Sequence, residues 1–343
     1  MGIIGNYMVI RPENHAAWLE ERKKGLGSSD AGTIMGVNNF DTPLKLWRRR
    51  RGLEAPTEET DVMALGHAVE GGVAYMFARA TGAIIDESSA IDWMAVSREK
   101  PYLRVSPDRL FWPAGTPLEQ RDLAHACMLE CKTTSHFIDK NDIQNTMPQY
   151  WYCQIQYQMG ILGLPKCAIG WISAAGGRFS FDFAWVDFNR GFFEYMISRI
   201  DAFWKLCVDG VEPQEIMDED DLRTRYPASV KDKTLELFSD VPEDRDFINL
   251  AKEYAELNNQ CKELDARKNE IKITLGSRIA DNEKVTFDDV KVLSFASQKG
   301  KSSLDAKRLK EDHPDLYDEY MSEGSTFRVF KVLPKLSEVQ LNS

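Results

Sequence analysis

The sequence predicts an α/β sheet flanked by helices, followed by a C-terminal extension of mixed helix and strand. Three observations carry this. Element patterns run α-β-β-β-α-β-β-α between residues 61 and 210, the strand runs are bounded by turn residues, and the texture changes after Gly210. With 343 residues, 43% hydrophobic and including eight Trp, the chain has material for a sizeable core.

Residues 13–25 read as a helix ending in "KKGLGSSDAGTIMG", a turn that leads into a short helix around Asp30 to Met35. "TPLKLWRRRRG" reads as a helix with Pro43 in its first turn and Gly52 at its end. Residues 61–81 carry a long helical pattern closed by Gly82. Inside it Gly71 and Gly72 cost roughly 1 kcal/mol each against Ala, which suggests close backbone approach by a neighbour or a ligand. Strand patterns follow in "GAIIDES", "YLRVSPDRLFW" and "CMLECKT". "MPQYWYCQIQYQMGILG" returns to helix, "CAIGWISA" and "RFSFDFAWVDF" are strand-like beside a Gly-Gly turn, and residues 190–210 form an aromatic-rich helix.

These patterns divide the chain into a core over 1–210, an acidic linker or cover over 211–245, and an extension over 246–343. Within the extension, Leu250, Tyr254, Leu257, Cys261, Leu264, Ile271 and Leu275 alternate by fours and threes, with Lys268 breaking the series. That is a heptad seam, suited either to an amphipathic helix on its own domain or to a coiled coil or partner helix. "VTFDDVKVLSFAS", "LDAKRLKEDHPDLYDEY" and "STFRVFKVLP" then read strand, helix, strand.

A formal net charge of −11 argues against coating nucleic acid along a broad basic surface, but leaves room for a local basic cleft. Cys127, Cys131, Cys153, Cys167, Cys207 and Cys261 form no C-x-x-C pair, which suits reduced thiols better than disulfides or zinc. The five histidines share no spacing, so a histidine metal site or triad is unsupported. No apolar run approaches the roughly 18 residues of a bilayer span, and the N-terminal stretch lacks a secretory pattern. A soluble, cytoplasmic chain without membrane association is expected.

In "ACMLECKTTS", Glu130 and Lys132 stand two positions apart, so in a strand both point to one face. Cys131 points to the other, leaving its backbone carbonyl free as an oxygen ligand. Upstream, "RVSPDRL" places Asp108 just after Pro107, at the bend of a strand. Two carboxylates and an ammonium at one point suit metal-assisted phosphodiester hydrolysis. Oxygen ligands suit Mg²⁺, which polarises a phosphoryl oxygen and acidifies water, while a lysine positions or deprotonates that water. Alone, E-x-K is more often a pair of exposed strand charges; the preceding S-P-D raises its weight. Arg48 to Arg51 make the best local basic patch for a phosphate backbone, although such runs are more often solvated faces. Gln154 and Gln156 suit a helix surface equally well, and Ser28, Ser29 and Asp30 cap a helix whether or not phosphate binds.

Taken in order, "GLGSSDAGTIMGVNNFDTPLKLW", "ALGHAVEGGVAYMF", "VSPDRLF", "LECKTT" and "YWYCQIQYQMGILG" resemble the motifs of YqaJ-like viral recombinases. These are relatives of the phage lambda 5′→3′ exonuclease within the PD-(D/E)xK nuclease superfamily. The resemblance covers about residues 15–205. It implies a restriction-endonuclease-like core with a central mixed sheet. It implies Asp108 and Glu130 as metal ligands, Lys132 as catalytic lysine, Glu70 reaching the metal from the first core helix, and Gln154 orienting the site from a later one. Arg22 and Ser29, with Ser28 beside them, match positions that hold a terminal 5′ phosphate, and Lys23 is an alternative to Arg22.

The activity so implied is a 5′→3′ exonuclease on double-stranded DNA ends, dependent on Mg²⁺ with Mn²⁺ able to substitute. It would leave 3′ single strands for annealing-type recombination and be phage or prophage encoded. A single-strand annealing protein and a trimeric ring around DNA are the implied partner and assembly. The rival readings are a structure- or site-selective endonuclease of the same superfamily and a non-catalytic DNA-end scaffold. The long loop at 111–124, between the two metal-binding strands, is expected to cover the site or contact DNA.

Overall fold

Residues 2–86, 93–175, 178–300, 302–322 and 327–339 are described by a computed structural model, which divides into two units, Met1–Thr224 and Arg225–Ser343. In the first unit β1 (Tyr7–Ile10), α1 (His15–Lys23), α2 (Ser28–Ile34), α3 (Pro43–Arg50) and α4 (Asp61–Thr81) precede most of the strands. Next come β2 (Ile84–Asp86), β3 (Met94–Ser97), β4 (Arg104–Val105), β5 (Arg109–Trp112) and β6 (Cys127–Thr134). α5 (Ile143–Thr146), α6 (Gln149–Leu162), β7 (Lys166–Ala175), β8 (Arg178–Asp187), α7 (Arg190–Asp209) and α8 (Glu219–Arg225) complete the order.

Five strands pair in the order β2-β5-β6-β7-β8, antiparallel except for the central β6–β7 pair, which is parallel. A parallel pair needs a crossover, and α5 and α6 supply it. The sheet is therefore mixed and flanked by helices. A smaller antiparallel sheet, β1-β3-β4, stands beside it. Its strands β1 and β3 are four residues each and carry no alternation that sets them apart in the sequence. The run read as one strand at 102–112 is two: β4 belongs to the small sheet and β5 to the large one. The break is Ser106-Pro107-Asp108, where proline lacks the N–H a ladder needs.

α6 is buried at Trp151 and at every residue from Ile155 to Leu162, so both of its sides face protein. Gln156 is no surface amide. It is fully buried, its Nε2 donates to the Asp187 carbonyl, and its Oε1 accepts from the Asn189 N–H, each at 2.8 Å. α2 lies directly on α6, since a Cβ at Gly32 would stand 2.6 Å from Tyr150 Cβ. The turn entering α2 is hung on the chain before β4. Leu26 N–H donates to the Tyr102 carbonyl at 2.7 Å, and a Cβ at Gly25 would lie 2.3 Å from that oxygen.

Each of the four arginines at the end of α3 has a partner within the fold, Arg48 to Arg50 half-buried and Arg51 exposed. Arg48 pairs with Glu54 at 2.7 Å, Arg49 with Asp41 and Arg50 with Asp30 at 2.5 Å, and Arg51 donates to the Cys207 carbonyl at 3.2 Å. The first unit also continues past Gly210. Asp221 is fully buried and accepts from Thr42 Oγ1 at 2.7 Å and from the Met217 N–H at 3.0 Å. The acidic stretch at 211–224 thus packs with the core, because its carboxylates have partners on α3 and its N-cap.

In the second unit, α9 (Pro242–Ile279) contains the heptad seam and buries none of its residues. Tyr254 meets Phe330 edge to face at 5.0 Å, and Lys252 Nζ donates to the Val339 carbonyl at 2.7 Å. β9 (Lys284–Phe287) and β10 (Val290–Ser294) form a hairpin turned by Asp288 and Asp289, both at positive φ. The helix expected over 304–320 is two, α10 (Ala306–Asp312) and α11 (Pro314–Tyr320), because Pro314 opens a new first turn. No strand forms over residues 327–334, contrary to expectation; the rest of that expected strand lies outside the described residues. Among the described residues no helix is long and apolar enough to cross a membrane.

α4 starts at Thr60, whose hydroxyl accepts from the Met63 N–H, and ends at Gly82 with φ +73°. A Cβ at Gly71 or Gly72 would meet nothing within 4 Å, so among the described residues no neighbour explains either glycine. Gly71→Ala is therefore expected to stabilise the chain by about 0.5–1 kcal/mol, read from the denaturant midpoint. A lower midpoint would reveal a contact at that position.

Candidate active site

Strand β6 turns Glu130 and Lys132 to one face and Leu129 and Cys131 to the other, where they pack with Val73, Phe77 and Phe111. Arg109 on β5 pairs with Leu129, so Asp108, one residue earlier, falls beside Glu130. Asp108 Oδ2 accepts the Cys131 N–H at 2.7 Å, fastening the carboxylate to the backbone of the neighbouring strand. Lys132 Nζ lies 2.7 Å from Glu130 Oε1 and donates to Gln154 Oε1 at 2.9 Å. Gln154 Nε2 donates in turn to Glu130 Oε1 at 2.5 Å. The three side chains close a triangle on a residue, Glu130, that is wholly excluded from solvent.

Glu70 reaches the same cleft from α4, with Arg109 3.8 Å from its carboxylate. Burial pushes Asp108 well above the ordinary carboxylate range, and the neighbouring Glu130 adds to the push. Burial also raises Glu70; His67 and Arg109 pull it back, and Glu130 pushes it further. For Lys132, burial disfavours the ammonium, but the carboxylates of Glu130 and Asp108 outweigh it and hold the pKa above the usual lysine value. Lys132 is thus held as a cation that donates hydrogen bonds to Glu130 and Gln154.

The serine turn lines the same cleft. Arg22, on α1, donates to Ser29 Oγ at 3.0 Å and stacks over Trp18, 5.2 Å from the ring centre. Ser28 is buried in the first turn of α2. Arg22, Ser28, Ser29, Glu70, Asp108, Glu130, Cys131, Lys132 and Gln154 all line one cleft of about 640 Å³. Lys23 does not line it and instead pairs with Glu20 at 2.5 Å. Of the loop expected over 111–124, Phe111 and Trp112 belong to β5, and none of these residues lines the cleft.

Several residues of the cleft escape sequence reasoning. Trp151 stands 5.8 Å from Lys132 Nζ, and Trp18 Nε1 donates to Ser106 Oγ at 3.2 Å. Arg109, directly after S-P-D, is the one with a local signal. Arg104 is buried, pairs with Glu21 at 3.0 Å and keeps a buried Nε without a partner.

The donor set suits a hard divalent cation. It is made of oxygens, Glu130 Oε2 is buried without a partner, and the anionic form of Asp108 is disfavoured as the protein stands. Among the described residues no three acidic, histidine or cysteine side chains converge as a ready-made cage.

Residues 17–165 match the model of the YqaJ-like viral recombinase domain. Over 325 residues the chain is 27% identical to the uncharacterized protein YqaJ of Bacillus subtilis strain 168, covering 92% of this chain and 93% of that one. Among solved structures, the chain is similar to an alkaline exonuclease, LHK-Exo, from Laribacter hongkongensis. Its TM-score is 0.42 at 14% identity, over 57% of this chain and 94% of that one. It is also similar to a phage-related exonuclease from Haemophilus somnus 129PT, with a TM-score of 0.40 at 11% identity, over 53% and 93% of the two chains.

The raised pKa of Asp108 makes the folded protein hold a proton more readily than the unfolded chain does. Its contribution to stability is full below the ordinary aspartate pKa and is lost as pH rises through the folded value. The thermal midpoint of metal-free protein should therefore fall as pH rises beyond the ordinary carboxylate range. Asp108→Asn keeps an acceptor for the Cys131 N–H and should flatten that fall. Mg²⁺ at neutral pH should raise the midpoint of wild type more than that of the variant. Parallel midpoint-versus-pH curves for the two proteins would remove Asp108 from this role.

Proposed function

We propose that this chain, with its YqaJ-like viral recombinase domain, is a Mg²⁺-dependent 5′→3′ exonuclease acting on double-stranded DNA ends. The observation that carries the reading is that one cleft holds both a buried carboxylate–lysine cluster and an arginine–serine turn. The first suits hydrolysis of a phosphodiester, the second suits the grip of a terminal phosphate. A nuclease that begins at a phosphorylated end needs both.

Asp108, Glu130 and Glu70 would hold the cation, with the Cys131 carbonyl as a further oxygen. Bound there, Mg²⁺ would supply positive charge to a phosphoryl oxygen and make water more acidic. Lys132, kept charged by Glu130 and Asp108, would donate to the attacking water or to the phosphoryl oxygen as negative charge builds. Gln154 fixes the direction of both Lys132 and Glu130 through its two amide atoms. Arg22 would turn its fork from Ser29 to a 5′ phosphate, a bidentate acceptor that it matches better than a single hydroxyl. The 3′ single strand left behind is a substrate for annealing-type recombination, which makes a single-strand annealing protein the natural partner. A homo-oligomeric ring would let an acidic chain hold DNA with the few basic groups that line a channel.

Digestion of end-labelled linear duplex with and without Mg²⁺ tests the reading. Lys132→Ala should cut the rate by on the order of 10² to 10³, while Mg²⁺ binding by calorimetry survives. More than about a tenth of wild-type activity would remove Lys132 from the chemistry. Wild type should degrade a 5′-phosphorylated duplex faster than a 5′-hydroxyl one, and Arg22→Ala should cost about ten- to a hundredfold on the phosphorylated end. Equal rates on both ends would sink the phosphate grip. Cutting of covalently closed circles would move the assignment to an endonuclease.

A further inference from the structure

Gln158 is wholly buried on α6, four residues after Gln154, so the two amides share one face of the helix about a turn apart. Gln154 holds Lys132 and Glu130. Gln158 Nε2 donates to Ser28 Oγ at 3.1 Å, in the turn whose next residue, Ser29, accepts from Arg22. The other amide atom of Gln158, Oε1, is buried and has no partner. A buried amide with one unmet oxygen is a net cost to stability, and an apolar side chain of similar volume would remove that cost. The residue is therefore poorly explained by packing alone.

The helix that holds both amides is fixed on the same side by Tyr157. Its hydroxyl donates to the Leu26 carbonyl at 2.8 Å and accepts the Arg104 N–H at 3.1 Å. The serine turn is thus tied to α6 both before and after Gly27. We propose that Gln158 is a positioning residue: it holds the Ser28–Ser29 turn at a set distance from the Glu130–Lys132 cluster. That distance fixes how far inward from a terminal 5′ phosphate the strand is cut. Two amides one helical turn of about 5.4 Å apart place the held phosphate and the cut phosphate as neighbours on one strand. The inference rests on the exonuclease reading above and adds the residue that sets its product length.

The test uses the full chain with Gln158→Leu, with Gln158→Met as a second apolar variant and Ser28→Ala removing the bond from its other side. Thermal melts establish folding, and the Gln158→Leu midpoint should be equal to or above that of wild type. On 5′-labelled duplex, wild type should release products of one length, and the variants a mixture of lengths. The ratio of initial rates on 5′-phosphorylated over 5′-hydroxyl ends should shrink about three- to tenfold. The Gln158→Leu and Ser28→Ala double variant should be no worse than either single one. Uniform products and an unchanged ratio in folded Gln158 variants would overturn the proposal while leaving the exonuclease reading intact. A loss of rate equal on both ends, together with a lowered midpoint, would also overturn it, in favour of a structural role. Equal wild-type rates on the two ends would defeat the phosphate grip itself, and this proposal with it.

Discussion

A carboxylate removed from water has to be answered by its neighbours, and Glu130 sets this demand on the rest of the first unit. Its Oε1 takes hydrogen bonds from Lys132 and Gln154, while its Oε2 is left without a partner. Leaving such an oxygen buried costs free energy, and the surrounding elements are arranged to keep it so. Parallel pairing of β6 with β7 places Glu130 inside the sheet, opposite Ile169, and makes a crossover obligatory. The crossover helix then supplies Gln154. Stability is given up at one atom, Glu130 Oε2, in the wall of the cleft.

The serine turn depends on a second network of the same kind, made of backbone approaches and charged ties. Gly25 lets the chain come against the Tyr102 carbonyl, and Asp30 accepts both the Gly27 N–H and Arg50. Arg50 itself has a buried Nε without a partner. The basic run at 48–51 is therefore spent on holding the scaffold, and the cleft's own cations, Arg22, Lys132, Arg104 and Arg109, come from four separate elements. An acidic chain can gather such a group without carrying a basic face.

The local features were legible in the sequence. Strand periodicity turned Glu130 and Lys132 to one side, proline marked the bend before Asp108, and the order of helices and strands over 61–210 outlined the large sheet. What escaped depended on partners distant in the chain. Arg48 to Arg51 look like a free patch until Glu54, Asp41, Asp30 and the Cys207 carbonyl are brought to them. Gln154 and Gln156 look like helix-surface amides because nothing local says that α6 is covered on both sides. The run at 102–112 reads as continuous because its two halves join different sheets, a matter of pairing and not of propensity. The short strands β1 and β3 are too brief to alternate visibly.

The hydrogen bond from the Cys131 backbone to Asp108 also bears on how this position is free to vary. Only the peptide group of residue 131 serves the cleft; its side chain belongs to the apolar layer beneath α4, beside Val73 and Phe111. Drift at 131 is then governed by the volume of that layer and leaves the backbone bond to Asp108 in place. Proline alone is barred from the front, since it has no N–H to give. Between Glu130 and Lys132, which line the cleft, lies a residue that answers to the opposite face of the sheet, and its substitutions should track those of α4.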